Sequence, residues 1–339
     1  MQKNDLEIRP DYFTLKKERT MFLLSILVFT IHISTLKNYD LSSDLGQVVM
    51  GIKTFITAFA RMAVPLFMII SGALFFKSYS YDKTGYKIKS RIHTLFIPYL
   101  AWNTIWMCFE FFCSNTSISR FFVGREIAQI TIPNILEGIF LRKYNMPFWF
   151  IFDLMLFTLI SPLTYTFLKN KKVGFFSLCA IAVIIEMGVL PKFSYLFYCI
   201  GAYIGIHYFD QFHSQNKRSV RILSAIIVVA FTILKALNNV IADSYVILSI
   251  SAVALWIVAD IVVGKKNYKF EKTSFLIFAM HINVGAVITK LLYLIFPKNE
   301  IFAPINFVLT ILFTVGFIYI FQIIINEKFP KIRKILCGR

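Results

Sequence analysis

Six ionisable residues lie inside strongly apolar segments of the chain, and they are His32, Arg61, Glu110, Asp153, Glu186 and Lys290. Such groups are costly in hydrocarbon, so they usually face a bundle interior or a water-filled cavity, where they bind substrate, relay protons or catalyse. His32 is notable because an imidazole can exchange a proton near neutral pH. The pattern predicts a polar cavity inside a membrane protein, and it fits a transporter as well as an enzyme.

The composition indicates the class of protein that contains these residues. Of the 339 residues, 58% are hydrophobic and 17% aromatic, more apolar side chain than a soluble domain of this length can bury. Apolar runs between charged or Pro-containing breaks predict an all-α, polytopic membrane bundle of about ten transmembrane helices. The predicted spans are 21–37, 55–76, 94–114, 148–168, 173–190, 194–209, 220–237, 245–264, 273–296 and 302–325.

Basic residues set the orientation. Alternate loops and the two termini hold 25 of the 36 Lys and Arg residues. Because cytoplasmic loops carry this excess, we expect both termini in the cytoplasm and the protein in the cytoplasmic membrane. The net charge of +18 then requires no nucleic-acid partner. The longest outer connection, 115–147, is too polar to span, so residues 1–339 are expected to form a single transmembrane domain of unspecified oligomeric state.

With this orientation, the position of a residue along its helix gives its approximate depth in the membrane. The six ionisable residues are expected at one level in the outer half of the membrane, each on a different helix. A second and sparser polar layer is expected nearer the cytoplasm, formed by Asp260, His281 and His207. The five cysteines form no paired motif, so neither a disulfide framework nor a metal site is predicted.

Local motifs narrow the choice of function. In FARMAVPLFMIISGALFF (59–76), Pro65 is expected to bend the helix, and the small Ser71 and Gly72 to let another helix approach closely. KIKSRIHTLFIPYLAWN (87–103) is a basic run followed by a helix that Pro98 breaks. MPFWFIFDLMLFTLISPL (146–163) combines aromatic residues with a carboxylate, and TSFLIFAMHINV (273–284) carries His281.

Taken in order, these motifs resemble the acyltransferase family 3 membrane proteins, which O-acylate surface sugars and related acceptors. The resemblance covers almost the whole chain. It rests on a His closing span one, the Arg…VPLF…SG segment, the basic run before IPYLAWN, the WF…SP segment and SF…H in span nine.

The resemblance implies catalytic roles for His32, Arg61 and Asp153. His32 would deprotonate the acceptor hydroxyl as a general base or carry the acyl group transiently. Arg61 would stabilise an oxyanion or hold the donor carbonyl, and an ion pair with Glu110 or Asp153 is an equally open interpretation. Asp153 would orient His32, in competition with Arg61 and Lys290.

The resemblance also implies binding sites for two substrates. The acceptor, a glycan, would contact Trp149, Asn103, Glu110 and Lys290. The donor, acetyl-CoA or another acyl-CoA, would present its phosphates to Lys87, Lys89 and Arg91 at the cytoplasmic mouth. For Trp149, a plain position in the interfacial aromatic belt stays open, as does ordinary cytoplasmic charge bias for each of the three basic residues.

The chain departs from the family pattern at two places. Family members commonly carry a basic residue eleven positions before the span-one His, where this chain has Met21, and Arg19 is a candidate replacement. The family often has a His or basic residue beside the WF element, where this chain has Pro147 and Phe152. Two other functions stay open at this point: a transporter or flippase of glycan intermediates, and a non-catalytic component of a polysaccharide assembly complex.

Overall fold

The computed structural model describes residues 12–33, 41–116, 129–263, 268–297 and 299–338. Within these ranges the protein forms α-helices and no strand, which confirms the all-α prediction. The helices are α1 (Tyr12–His32), α2 (Asp44–Ala60), α3 (Ala63–Phe76), α4 (Thr84–Arg91), α5 (Ile97–Ser114), α6 (Ile132–Phe140), α7 (Trp149–Leu159), α8 (Ser161–Leu168), α9 (Lys171–Glu186), α10 (Ser194–His207), α11 (Phe209–His213), α12 (Arg218–Ala236), α13 (Tyr245–Val258), α14 (Ser274–Ile295), α15 (Phe302–Lys328) and α16 (Pro330–Cys337).

Each of the ten predicted spans overlaps a helix. Among the residues that the structure describes, five helical stretches are long and apolar enough to cross a membrane, and a sixth is added if the bent pair α7 and α8 is one span. The protein is therefore a multi-pass membrane protein, while the count of ten spans and the cytoplasmic termini stay predictions. Outside the described residues lie 34–37 of the first predicted span, 264 of the eighth, 117–128 of the long connection, and the basic residues Lys3, Arg9, Lys265, Lys266 and Arg339.

Prolines interrupt three of the long apolar segments. A proline has no N–H to donate to the carbonyl four residues earlier, so a regular helix is broken there. α2 ends at Ala60, five residues before Pro65, and α3 begins at Ala63. A π-helical turn, Ile92–Phe96, precedes Pro98, and α7 and α8 meet at 67° beside Pro162. The regular α-helix is thus interrupted before Pro65 and before Pro98, while a bend of the helix at Pro65 stays a prediction.

α3 and α10 pack in parallel with almost no side chain between them. A Cβ atom at Gly72 would lie 2.3 Å from the Tyr198 carbonyl oxygen, and one at Gly201 would lie 2.1 Å from the Ile69 carbonyl oxygen. Small residues at a helix interface allow this approach in membranes. The predicted role of Gly72 is confirmed, and the contact fixes the beginnings of α3 and α10 at one level.

α1 and α14 also run in parallel and share polar contacts. The Ser25 hydroxyl donates to Ser274 Oγ at 2.9 Å, and Ser274 Oγ donates to the Met21 carbonyl at 2.9 Å. Further along, the Phe29 ring packs where Gly285 leaves room, since a Cβ there would lie 2.7 Å from the ring. The residues near position 281 of α14 are therefore held beside the last two turns of α1.

α6 runs back along α5, inside the connection that was predicted to be an outer loop. Gly138 lies against Met107, Asn103 Nδ2 donates to the Ile139 carbonyl at 3.0 Å, and the Tyr99 hydroxyl donates to the Phe140 carbonyl at 2.7 Å. Residues later in α6 contact residues earlier in α5, so the two helices are antiparallel. The connection thus contains a short helix that the sequence did not predict, and two of its carbonyls accept hydrogen bonds from α5 side chains.

Asp260 joins three parts of the chain at the opposite end of α1. It accepts hydrogen bonds from the Tyr12 hydroxyl at 2.6 Å and from the Asn216 backbone and side chain at 2.8 and 2.9 Å. Lys16 Nζ lies 2.6 Å from the same carboxylate and 4.1 Å from the centre of the Trp256 ring. Because both charges of this ion pair are buried, it acts as a structural clamp.

Candidate functional site

His32 at the end of α1 is next to His281 of α14. Their ring centroids are 5.4 Å apart and the rings are tilted by 42°. The His32 side chain is exposed, whereas His281 is fully buried. The two histidines therefore form one pair with an outer, accessible member and an inner, shielded member.

The hydrogen bonds of His281 define its tautomer. Its Nδ1 lies 2.9 Å from the carbonyl oxygens of both Ile277 and Phe278, and a carbonyl can only accept. Nδ1 must therefore carry the proton, which leaves a lone pair on Nε2 of the neutral ring. Nε2 is buried and has no partner within the described part of the chain. His281 is thus prepared to accept one hydrogen bond or one proton.

The placement of His281 corrects the sequence-based expectation of a separate, deeper layer. Ser274 is level with Met21, so the two histidines differ by only a few residues along parallel helices. His281 is therefore a neighbour of His32 that depth counting missed, although the SF…H motif had included it.

Lys53 of α2 fixes the end of α1 that carries His32. Its ammonium donates to the Thr30 carbonyl at 2.7 Å and to the Ile33 carbonyl at 3.2 Å. These are orphan carbonyls of the last turn, which a cation stabilises. Arg19, suggested as a replacement for the family's basic residue, is held elsewhere: its Nε lies 2.5 Å from Glu271 Oε1. Thirteen residues of α1 separate it from His32, about 20 Å.

Asp153 has partners other than those expected. Its carboxylate accepts from Lys192 Nζ at 2.6 Å and from the Ser194 hydroxyl at 2.6 Å, and it is 1% exposed. Within the described residues, no hydrogen bond or ion pair joins Asp153 to His32 or Arg61. The ion pair of Asp153 is therefore with Lys192, and its catalytic role stays a prediction.

Trp149 lies one helical turn before Asp153 on α7 and belongs to an aromatic group. Its ring centroid is 6.0 Å from that of Phe193, and Phe193 stacks on Tyr245 at 5.4 Å and 9°. On its other side, Phe150 contacts Phe278, the neighbour of His281. Ring contacts thus lead from Trp149 towards the histidine pair.

Arg61 is exposed at the break between α2 and α3. This break is where α3 begins, and the beginnings of α10 and α13 lie nearby because Phe193 stacks on Tyr245. Arg61 and the aromatic group therefore lie at the same end of α3, α10 and α13.

The other predicted acceptor residues are dispersed. Asn103 is fully buried and uses both ends of its amide, donating to Ile139 and accepting from Asn145 at 3.1 Å. It therefore positions α6. Glu186 accepts from the Ser244 hydroxyl and the Val246 backbone at the beginning of α13. Glu110 and Lys290 are half-buried on α5 and α14.

The predicted donor residues divide into two faces of α4. Lys87 and Arg91, four residues apart, both approach the Phe75 ring, at 4.9 and 5.4 Å. Lys87 Nζ also donates to the Phe75 carbonyl at 2.5 Å, which caps the end of α3. Lys89 is exposed on another side. All three stay predicted donor ligands.

No group of three or more His, Cys, Asp or Glu residues in the described ranges is arranged to hold a metal ion. A groove of about 670 Å³ runs along α12 and is lined mainly by aliphatic residues, with Arg218 and Arg221 at one end. It contains neither histidine of the pair. The groove is therefore separate from the histidine pair.

Comparison with known protein families identifies the family to which the chain with this histidine pair belongs. The sequence model of the family described as "Acyltransferase domain", the acyltransferase 3 family, matches residues 22–323. The chain belongs to the acyltransferase 3 family. The match takes in both histidines, Arg61 and the basic residues of α4. The protein is therefore a multi-pass membrane member of an acyltransferase family.

One curated relative extends the comparison. The succinoglycan biosynthesis protein ExoH of Rhizobium meliloti (strain 1021) is 29% identical over 161 residues, which are 43% of this chain and 41% of that protein. The match thus spans about two fifths of the relative's length. No solved structure matches this acyltransferase 3 protein.

Proposed function

We propose that this protein is an O-acyltransferase that moves a short acyl group, acetyl first among the candidates, from cytoplasmic acyl-CoA to a hydroxyl of a cell-surface saccharide or its lipid-linked precursor. The observation that carries the proposal is the pairing of an exposed His32 with a buried His281 whose Nε2 is a free acceptor. Family membership supports acyl transfer, and the relative named for succinoglycan biosynthesis supports a saccharide acceptor.

The histidine pair supplies the proton chemistry of ester formation. As the acceptor oxygen bonds to the acyl carbon, one imidazole takes the hydroxyl proton, and the C–S bond of the thioester breaks. The CoA thiolate leaves and receives a proton in turn. His32, which is exposed, acts as this base or carries the acyl group transiently, while His281 orients it or holds the proton.

Two groups of residues would hold the substrates. Lys87, Lys89 and Arg91 offer three cations to the phosphates of the donor. Trp149 and Phe193 offer aromatic faces to the sugar rings of the acceptor, at the end of the bundle that also bears Arg61. Arg61 is exposed and can stabilise the oxyanion of the tetrahedral intermediate.

The experiment is acyl transfer in inside-out membrane vesicles that contain the protein and a saccharide acceptor. Acetyl-CoA labelled in its acetyl group is supplied outside, and the label in the saccharide is measured with and without a proton gradient. An acyltransferase labels the saccharide without requiring the gradient. Movement of unmodified saccharide that requires the gradient, without label, would instead establish a transporter. Neither label nor movement would leave only the non-catalytic role.

A further inference from the structure

A second cation approaches the aromatic end of α7 beside Lys192. The Arg142 guanidinium lies 5.4 Å from the centre of the Phe152 ring, and Lys192 Nζ lies 5.9 Å from the same ring. Arg142 also interacts with the Tyr99 hydroxyl. The structure places two basic side chains around the Phe152 ring from neighbouring loops.

The two cations differ in their charge balance. Lys192 is paired with the buried Asp153 at 2.6 Å. Within the described ranges, no carboxylate lies within ion-pair distance of Arg142. The side chain of Arg142 is partly buried, where an unpaired charge is costly. The group of Arg142, Lys192 and Asp153 therefore carries one net positive charge against Phe152.

The backbone of Arg142 ends helix α6. Its φ is 54°, in the left-handed region, and it directly follows the C-cap Leu141, a position where helices commonly adopt this conformation. The Lys143 N–H donates to the Glu137 carbonyl at 3.3 Å and closes the turn. The hydrogen bonds of Tyr99 and Asn103 to the end of α6 hold the chain in place immediately before this residue. The fold thus presents the guanidinium at a defined position.

Aromatic surfaces continue from these cations. Trp149 and Asp153, four residues apart on α7, both contact the segment that enters α10, through Phe193 and Lys192 respectively. A guanidinium binds carboxylate or phosphate with two parallel hydrogen bonds, and an aromatic face packs against a sugar ring. One ligand class presents both features.

We infer that Arg142 is a specificity residue for an acceptor saccharide that bears an anionic group, a carboxylate or a phosphate, with a sugar ring against Trp149 and Phe193. This rests on the proposed function, and it adds the charge of the acceptor. Arg142 binds the anion directly. Lys192 contributes through Asp153, which it holds in place.

The test is equilibrium binding to the purified full chain in detergent, without acyl donor. The probes are an oligosaccharide containing glucuronate, the same oligosaccharide with its carboxyl group reduced to an alcohol, and the reduced oligosaccharide carrying a phosphate. The variants are Arg142→Asn, chosen because asparagine tolerates the left-handed conformation, and Arg142→Lys. Lys143→Gln is the matched control, because Lys143 is adjacent and forms an exposed ion pair with Glu137.

The native chain should bind one or both anionic probes about 10- to 100-fold more tightly than the reduced probe. Arg142→Asn should remove this preference with an unchanged melting temperature, Arg142→Lys should retain part of it, and Lys143→Gln all of it. Which anionic probe is preferred identifies carboxylate or phosphate as the recognised group.

Equal binding of charged and reduced probes by the native chain would overturn the inference, as would a preference that survives in Arg142→Asn. Because no acyl donor is present, these results are independent of catalysis. If the chain transfers acyl groups but shows no charge preference, the proposed function stands and the role of Arg142 is refuted. If the chain shows the Arg142-dependent preference but no transfer, the role of Arg142 in binding stands and the proposed function is refuted.

Discussion

The parallel contact of α3 with α10 makes a quantitative prediction for Gly201→Ala. The added Cβ would lie 2.1 Å from the Ile69 carbonyl oxygen, whereas ordinary contacts are 3.4–4 Å. The obstacle is backbone, which no rotamer change can relieve. The helices must therefore separate by roughly an ångström, and the contacts at Gly72 and Gly205 in the same interface loosen with them.

Overpacking of this kind costs about 1–3 kcal/mol, and we expect the upper end because three glycines share the interface. For a chain of this size the loss lowers the melting temperature by about 2 °C per kcal/mol, hence by about 6 °C. Gly316→Ala on α15 is the matched control, since nothing lies within 4 Å of its added Cβ. That variant should be as stable as the native chain or gain up to about 1 kcal/mol from helix propensity.

The measurement is the melting temperature of both variants in detergent, followed by size-exclusion chromatography. Acyl transfer is measured on the same samples, because the α3–α10 contact positions Arg61, just before α3, and Lys192, just before α10. Gly201→Ala should be less stable and less active than Gly316→Ala. If the two variants melted at the same temperature, the close contact of α3 and α10 would be wrong.

Three further predictions concern the site. His281→Leu should lower the rate of transfer about 10²- to 10⁴-fold, because it removes the Nε2 acceptor. The melting temperature should change little, because only hydrogen bonds within α14 are lost. Activity near the native rate would exclude His281 from the proton chemistry. Asp153→Ala should lower stability by about 1–3 kcal/mol in chemical unfolding, because it removes two charged hydrogen bonds, and an unchanged midpoint would contradict the observed pairing. Lys87→Gln should raise the KM for acyl-CoA, and it should also lower the melting temperature, because Lys87 caps α3. Lys89→Gln should raise the KM without changing the melting temperature, because Lys89 is exposed. Equal melting temperatures for the two variants would argue against the cap.

Sequence reasoning succeeded where a residue acts through its own backbone or size. Pro65 and Pro98 lack a donor wherever they occur, so the helix breaks could be expected from position alone. Gly72 was expected to permit close packing, but its partners Tyr198, Gly201 and Ala202 lie some 130 residues later. Nothing in a single sequence pairs them.

The sequence was less informative about which side chains meet. His281 was assigned to a deeper layer because residue counting along each span does not give the register between helices, which places Ser274 of α14 level with Met21 of α1. Asp153 was assigned to His32 or Arg61, whereas its partner Lys192 lies in a short loop that had been counted only for its charge. α6 was missed because a nine-residue helix within a polar connection is too short to appear as a span.

The most direct test of acyl transfer at the histidine pair compares three chains at matched expression: native, His32→Ala and His93→Ala. His93 is an exposed histidine of the π-helical turn and lies outside the proposed machinery, so it controls for loss of an imidazole elsewhere. Labelled acetyl-CoA is added to vesicles that hold a saccharide acceptor. We predict label in the saccharide with the native chain and with His93→Ala, and none with His32→Ala. Equal label with His32→Ala would contradict the account, because the histidine pair could then not be the site of transfer.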